Sequence, residues 1–345
     1  MEANIKKNPR IIWFFLALLM LQACQKNRLD VDVSDVKCDL ILEDFDKDLF
    51  ASKAISDSTF DFNQVKLKYG KFFEVYNRYI MNFDPQKDST FSTQLSEFIK
   101  HPMIKYLHDT TASVFSNRHK LEGEINEAFR HYKYYYPGDT LPRVLTYISE
   151  FGPACYTDQN FAGIGLDMYL GSNFRYYRSI ELDFPEYRIK KFRSEYAVRD
   201  LMHAMAQSKI QSVENGQLLN RMIYEGKLLY FVQAMMPELD DTLVIGYTAL
   251  QLKWCEDNVL QMWHHFVEEK MLYSTDMITY NRYLVDGPFT SAPGVPTESA
   301  PRIGVWLGWQ IVKKYMDANP DITLQQMFDE QDAQRILQQS KFRPR

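Results

Sequence analysis

Arg199-Asp200-Leu201-Met202-His203 sets a guanidinium and an imidazole one helical turn apart. Side chains at i and i+4 share a helix face and can reach one ion. Two histidines at that spacing, with a glutamate after the first, hold zinc and activate its water. Here the first position is Arg, a permanent cation with no lone pair to give a metal. The second is Asp, one methylene shorter than the glutamate base. Downstream, Glu225 stands in a stripe of Leu218, Met222, Leu229, Val232 and Met236, which follow one another at helical spacing. A carboxylate on an apolar stripe needs a cation or a retained proton. Some cation is therefore expected to meet it, with Arg199 and His203 of the preceding helix as the candidates. The alternative is that Arg199, Asp200, His203 and Gln207 form a solvated polar face opposite Val198, Leu201, Met202 and Met205.

A second reactive position lies near the N-terminus. Lys6, Lys7 and Arg10 precede the apolar run Ile11–Met20, and Leu21-Gln22-Ala23-Cys24 follows at once. A basic start, a short apolar core and a small residue before the cut form a signal-peptide pattern. The run is short of the roughly 20 apolar residues of a membrane-spanning helix. A cysteine directly after Leu-Gln-Ala is similar to a bacterial lipobox, in which the thiol of Cys24 accepts diacylglycerol. One acyl chain holds weakly, at about 0.8 kcal/mol per buried CH₂, so stable anchoring takes several; a triacylated cysteine supplies them. The alternative is an uncleaved anchor with an incidental cysteine. On the lipoprotein reading, residues 1–23 are removed, 24–35 are a polar tether, and 36–345 form one globular domain.

Other candidate chemistry is weaker. His264 and His265 are adjacent, so on a helix they point about 100° apart and cannot both serve one ion; one stacked and one exposed is the simpler expectation. Gly304 and Gly308 read as close helix packing in a soluble core. No nucleophile elbow, phosphate loop or dinucleotide fingerprint is present. Beyond Cys24, the cysteines are Cys38, Cys155 and Cys255; an odd, widely spaced set is no disulfide framework, and one bridge is left open. The segment 1–23 holds three basic residues and one acidic, so its removal takes the formal charge from −5 to −7. That mildly acidic balance has no basic stripe and excludes a nucleic-acid partner. No cofactor is implied.

These residues need elements to position them. With 23 Phe and 22 Tyr against 14 Gly and 14 Pro, the composition points to a packed, mainly helical globule. A first strand is expected within 36–43 and a helical turn at 44–50. Helices are expected at 60–83, 91–98 and 120–136, the last stopped by Pro137-Gly138. Strands are expected at 141–151, 155–161 and 164–170. Helices then follow at 186–209, 216–236, 247–271, 301–318 and 323–339, with 286–301 a proline-rich loop. The fold class is α+β with helices dominating.

Several blocks together resemble the gliding-motility lipoprotein GldB family of Bacteroidota. They are the lipobox start, Cys38 through Phe50, Gly165-Leu166-Asp167-Met168-Tyr169-Leu170-Gly171, Met222 through Phe231, Gln251-Leu252-Lys253-Trp254-Cys255, and Ile303 through Tyr315. The resemblance spans essentially the whole mature chain. It implies a lipoprotein tied to gliding motility and the associated type IX secretion apparatus, with envelope motility and secretion proteins as partners and no established enzymatic activity. The 199–225 block also resembles a decayed zinc peptidase of the glutamate-ligand type, in which the two helices lie side by side. His203 and Glu225 match ligand positions; Arg199 and Asp200 depart from the first ligand and the base. A zincin-like helical domain with a small sheet and no bound metal is the resulting expectation, with a working zinc-dependent hydrolase as the alternative. Gln25-Lys26-Asn27-Arg28 lacks an acidic run, which favours the periplasmic side.

Overall fold

The computed structural model describes residues 28–56, 59–179, 184–213 and 216–344. Cys24, the signal segment 1–23 and the first residues of the expected tether lie outside the described residues. From residue 28 onward the tether reading gives way to packing: Leu29 and Val33 are buried.

Four strands make the main sheet, in the order β1 (Leu42–Glu43), β4 (Arg143–Tyr147), β6 (Phe161–Gly165), β5 (Cys155–Thr157). The first three are parallel and β5 is an antiparallel edge. β2 (Lys53–Ser56) and β3 (Thr59–Asp61) form a separate hairpin. The expected first strand is only two residues long. Before it, the Asn126 side chain bonds both Leu40 N–H and Leu40 C=O, and Glu122 accepts from Leu42 N–H. Side chains thus take the place of a strand partner and close the sheet edge.

The helices run in chain order. In the first half are α1 (Phe45–Phe50), α2 (Asn63–Tyr69), α3 (Lys71–Val75), α4 (Ser92–Lys100), α5 (Pro102–Val114) and α6 (Arg118–Tyr135). They are followed by α7 (Glu186–Ile189), α8 (Ala197–Lys209), α9 (Leu218–Met235), α10 (Asp241–Ile245) and α11 (Ala249–Asp257). The last are α12 (Val259–Glu268), α13 (Met277–Tyr280), α14 (Ile303–Ala318), α15 (Leu324–Asp329) and α16 (Ala333–Ser340). The fold is α+β and predominantly helical. The single helix expected over 60–83 is instead β3, α2, α3 and a π-turn at Tyr76–Ile80, because Gly70 sits at φ +53° and breaks it. The 186–209 segment divides too: Lys191 leaves the helical path to pair with Asp286, 2.7 Å away. α5 was not expected, although Ile104, Leu107 and Thr111 bury one face of it at i, i+3 and i+7; Pro102 opens it at N1.

α9 and α14 are the central pair. A Cβ on Gly226 would lie 2.8 Å from Trp309 N and against the Gly308 carbonyl; one on Gly308 would fall onto the Met222 carbonyl. The two backbones touch, and only glycine permits it. The Met222/Gly226 level of α9 meets the Gly308/Trp309 level of α14.

The expected strand over 164–170 turns into a 3-10 segment at Leu166–Met168 after β6. Asp167 is the reason. Its fully buried carboxylate accepts N–H bonds from Ser149 (3.0 Å) and Phe151 (2.7 Å), in a loop where Glu150 and Phe151 both have positive φ. Burial raises the Asp167 pKa to about 6 despite these donors. A carboxyl whose pKa is higher folded than unfolded contributes stability that is full below pH about 4 and lost as pH rises through about 6. Two pKa units correspond to about 3 kcal/mol. The stability of wild type relative to Asp167→Asn, from urea melts, is expected to fall by that amount between pH 4 and 7. A difference that stays constant with pH would show that Asp167 titrates normally.

Candidate functional site

α8 buries Val198, Leu201, Met202 and Met205, the apolar stripe expected of it. The opposite expectation, a solvated polar side, fails at Arg199, which is only 9% exposed. Its guanidinium reaches two groups. Nη1 pairs with Asp200 Oδ1 at 2.8 Å, while Nε and Nη2 both donate to the Val244 carbonyl, at 3.1 and 2.6 Å. Asp200 also accepts from Tyr169 OH at 3.0 Å, and that hydroxyl lies 3.7 Å from Cys155 Sγ on β5. Burial beside Asp200 pushes the Cys155 thiol well up, so it is no nucleophile at neutral pH.

A second arginine works in parallel. Arg302 immediately precedes α14, with φ +43°, and its Nη2 donates to the Ile245 carbonyl. Tyr247 OH closes the same corner on the Pro301 carbonyl, at 2.5 Å. The last carbonyls of α10 thus each face a guanidinium. These are groups that a helix end leaves unpaired and that carry its negative partial charge. Asp286 continues the network, 4.0 Å from Arg302 Nε and 2.7 Å from Lys191 Nζ.

His203 and Glu225 stand inside this frame. Both are partly buried. Neither makes an ion pair or a side-chain hydrogen bond among the described residues. Burial holds the His203 pKa well below its ordinary value, and the charges of Arg199 and Arg302 push it the same way, so the ring is neutral. Burial raises the Glu225 pKa; Arg302, Arg221 and Arg199 oppose that, in this order. The expected pairing of Arg199 with Glu225 is therefore not formed. The Val244 carbonyl and Asp200 occupy the guanidinium, and the cation acting most on Glu225 is Arg302. Arg302 and Lys191 were missed because their partners are a backbone carbonyl and a distant loop acid, which leave no local pattern.

A zinc ion does not fit this donor set. Two guanidinium charges bear on His203, and among the described residues no three His, Cys, Asp or Glu side chains gather as a metal would require. His265 and His264 follow the simpler expectation: His265 Nε2 is 2.8 Å from Tyr283 OH and its ring packs on Phe266, while His264 is exposed. Cys38, Cys155 and Cys255 are all free thiols. Beside the network opens a cleft of about 730 Å³, lined among others by Tyr187, Lys190, Lys191, Tyr196 and Tyr247.

Fold and site together define a helix-rich α+β domain whose central polar cluster is locked by arginines. The chain belongs to the gliding motility protein GldB family, whose model matches residues 26–344. That membership puts it among gliding-motility-associated lipoproteins. No curated protein and no solved structure gives a match. Among the described residues no helix is long and apolar enough to cross a membrane.

Proposed function

We propose that this chain is a lipid-anchored, non-catalytic component of the gliding and type IX secretion machinery. It faces the periplasm and serves its envelope partners as a scaffold or peptide-binding surface. Its core is a zincin-like arrangement that has exchanged metal chemistry for a structural lock. One observation carries the reading. Arg199, one turn before His203, spends its whole guanidinium on Asp200 and Val244 and so cross-links α8 to α10. A hydrolytic zinc site needs three protein ligands, an open position and a base. The same stretch of helix here offers a fixed cation, and an aspartate already engaged by that cation and by Tyr169. The order of elements supports the ancestry: an antiparallel edge strand beside the helix of His203, then the helix of Glu225. The cleft with its three tyrosines and two lysines suits an extended peptide with acidic groups.

The test is metal and peptidase analysis of the mature protein in detergent. Desalted protein is expected to carry less than roughly 0.1 equivalents of zinc, an order-of-magnitude bound set by the missing ligand, and to cleave no peptide. Stoichiometric zinc, with cleavage abolished by His203→Ala, would establish the hydrolase instead.

A further inference from the structure

Arg28, the first of the described residues, acts as a clamp. Arg28 Nη1 donates to the Met316 carbonyl at 2.5 Å and the Asn319 carbonyl at 3.1 Å, and Nη2 donates to the Ile322 carbonyl. These are carbonyls at the C-terminal end of α14 and just beyond it, where a cation is favoured; Asn319 C=O also accepts from Ile322 N–H. Arg28 is also close enough to bear on the charges of Tyr135 and Tyr230. Tyr135 ends α6 and packs edge-on against Tyr134, which is 47% exposed. Arg28 therefore ties the chain to the end of the molecule formed by the C-termini of α6 and α14.

The consequence rests on the lipoprotein reading above. Cys24 and Arg28 are four residues apart, so at full extension their Cα atoms lie at most about 14 Å from each other. The other end of α14 holds Arg302 and, through it, the network around Glu225. From Arg302 to Met316 the helix rises about 20 Å at 1.5 Å per residue. We propose that the α6/α14 C-terminal end lies against the bilayer surface, and that α14 stands as a post holding the arginine-locked site and its cleft about 20 Å farther out. The partner at this end is lipid. Tyr134 is the amphipathic side chain suited to the headgroup layer. Exposed Asp30, Asp317 and Asp321 around the clamp make the end mildly acidic, so acyl chains and not basic charge supply the attachment.

The experiment uses the full lipidated chain in phosphatidylcholine vesicles containing a nitroxide-headgroup lipid, with bimane attached at Ala318→Cys or at Lys190→Cys. Ala318 is exposed at the end of α14, and Lys190 is exposed on the rim of the cleft. Quenching of about twofold or more is expected at 318 and none at 190, given the length of the helix between the two levels. Arg28→Ala is expected to keep the lipid and lose this contrast; a contrast that survives it would remove the clamp from the proposal. Fatty-acid labelling separates the two readings. Equal label on wild type and Cys24→Ala would overturn the anchor and the orientation together. Label confined to the wild type, with equal quenching at both sites or stronger quenching at 190, would overturn the orientation alone.

Discussion

Gly308→Val is expected to leave little folded protein, and Gly308→Ala to lower stability by about 3 kcal/mol, the upper end for overpacking. The reason is the nature of what the new Cβ meets. A flexible side chain can swing aside; the Met222 carbonyl belongs to α9 itself, so the two helices must part. Parting them unpacks much of the core, since α9 and α14 bury Leu229, Val232, Leu307, Trp309 and Ile311 almost completely. Gly226→Ala strains the same contact from the other side, against Gly308 C=O and Trp309 N. Because either change separates the same two helices, the second should meet part of the room already made. The double variant is expected to lose clearly less than the sum of the singles, with a coupling of about 1 kcal/mol or more. Chemical melts of the four proteins decide it. Strict additivity would mean that each glycine is accommodated locally and that the backbones do not share one contact.

This contact was half legible in the sequence. Gly304 and Gly308 in an apolar segment announce close packing, and the small Gly226 beside Glu225 announces that something approaches α9. That the two belong to each other is a tertiary fact without a local mark. The same division runs through the fold. Apolar periodicity located α9, α14 and the end of α8 to within a few residues, because one-sided burial leaves a 3.6-residue imprint; it ran α7 and α8 together into one helix. It misjudged 60–83, where helix and strand both supply aromatic residues and only Gly70 hints at the break. It overextended the first strand, since the Asn126 and Glu122 side chains that stand in for a partner are some 80 residues away.

The site was legible as a set of residues and not as a set of bonds. Arg199 and His203 share one side of α8, as their spacing implied, and the charge of Arg199 bears on both His203 and Glu225, as the resemblance implied. What each touches was hidden wherever the partner is a main-chain carbonyl, for every residue carries one and none is distinguished by type. Arg199 on Val244, Arg302 on Ile245 and Arg28 on Met316 are three cases of one device. Each sets a guanidinium at the C-terminal end of a helix, with its partner between 45 and 288 residues along the chain. The chain uses arginine as a cross-link between helices in a domain whose three described cysteines are all free.

Arg199→Met is expected to be the most damaging single change at the site, costing about 2–3 kcal/mol, the upper range for a buried carbonyl stripped of its donors, since Asp200 is part-exposed and keeps its bond from Tyr169. The Met side chain fills much of the space but donates nothing. Val244 C=O loses both of its donors and Asp200 loses its cation. Arg199→Lys should recover less than half, since one ammonium cannot span two acceptors as the planar fork does. Coupling then identifies the partner. Arg199→Met combined with Asp200→Asn should show an interaction of about 1–3 kcal/mol, as expected for groups in direct contact. With Glu225→Gln the effects should add within about 0.5 kcal/mol, because Arg199 acts on Glu225 less than Arg302 or Arg221 does. Glu225→Gln alone should be tolerated or slightly stabilising at neutral pH, since burial outweighs the arginines and already disfavours the ionised form. Thermal melts across both cycles distinguish a lock built on Asp200 and Val244 from a salt bridge inherited by Glu225. If Glu225→Gln is as harmful as Arg199→Met and couples strongly to it, Glu225 is the true counter-ion and the clamp is secondary.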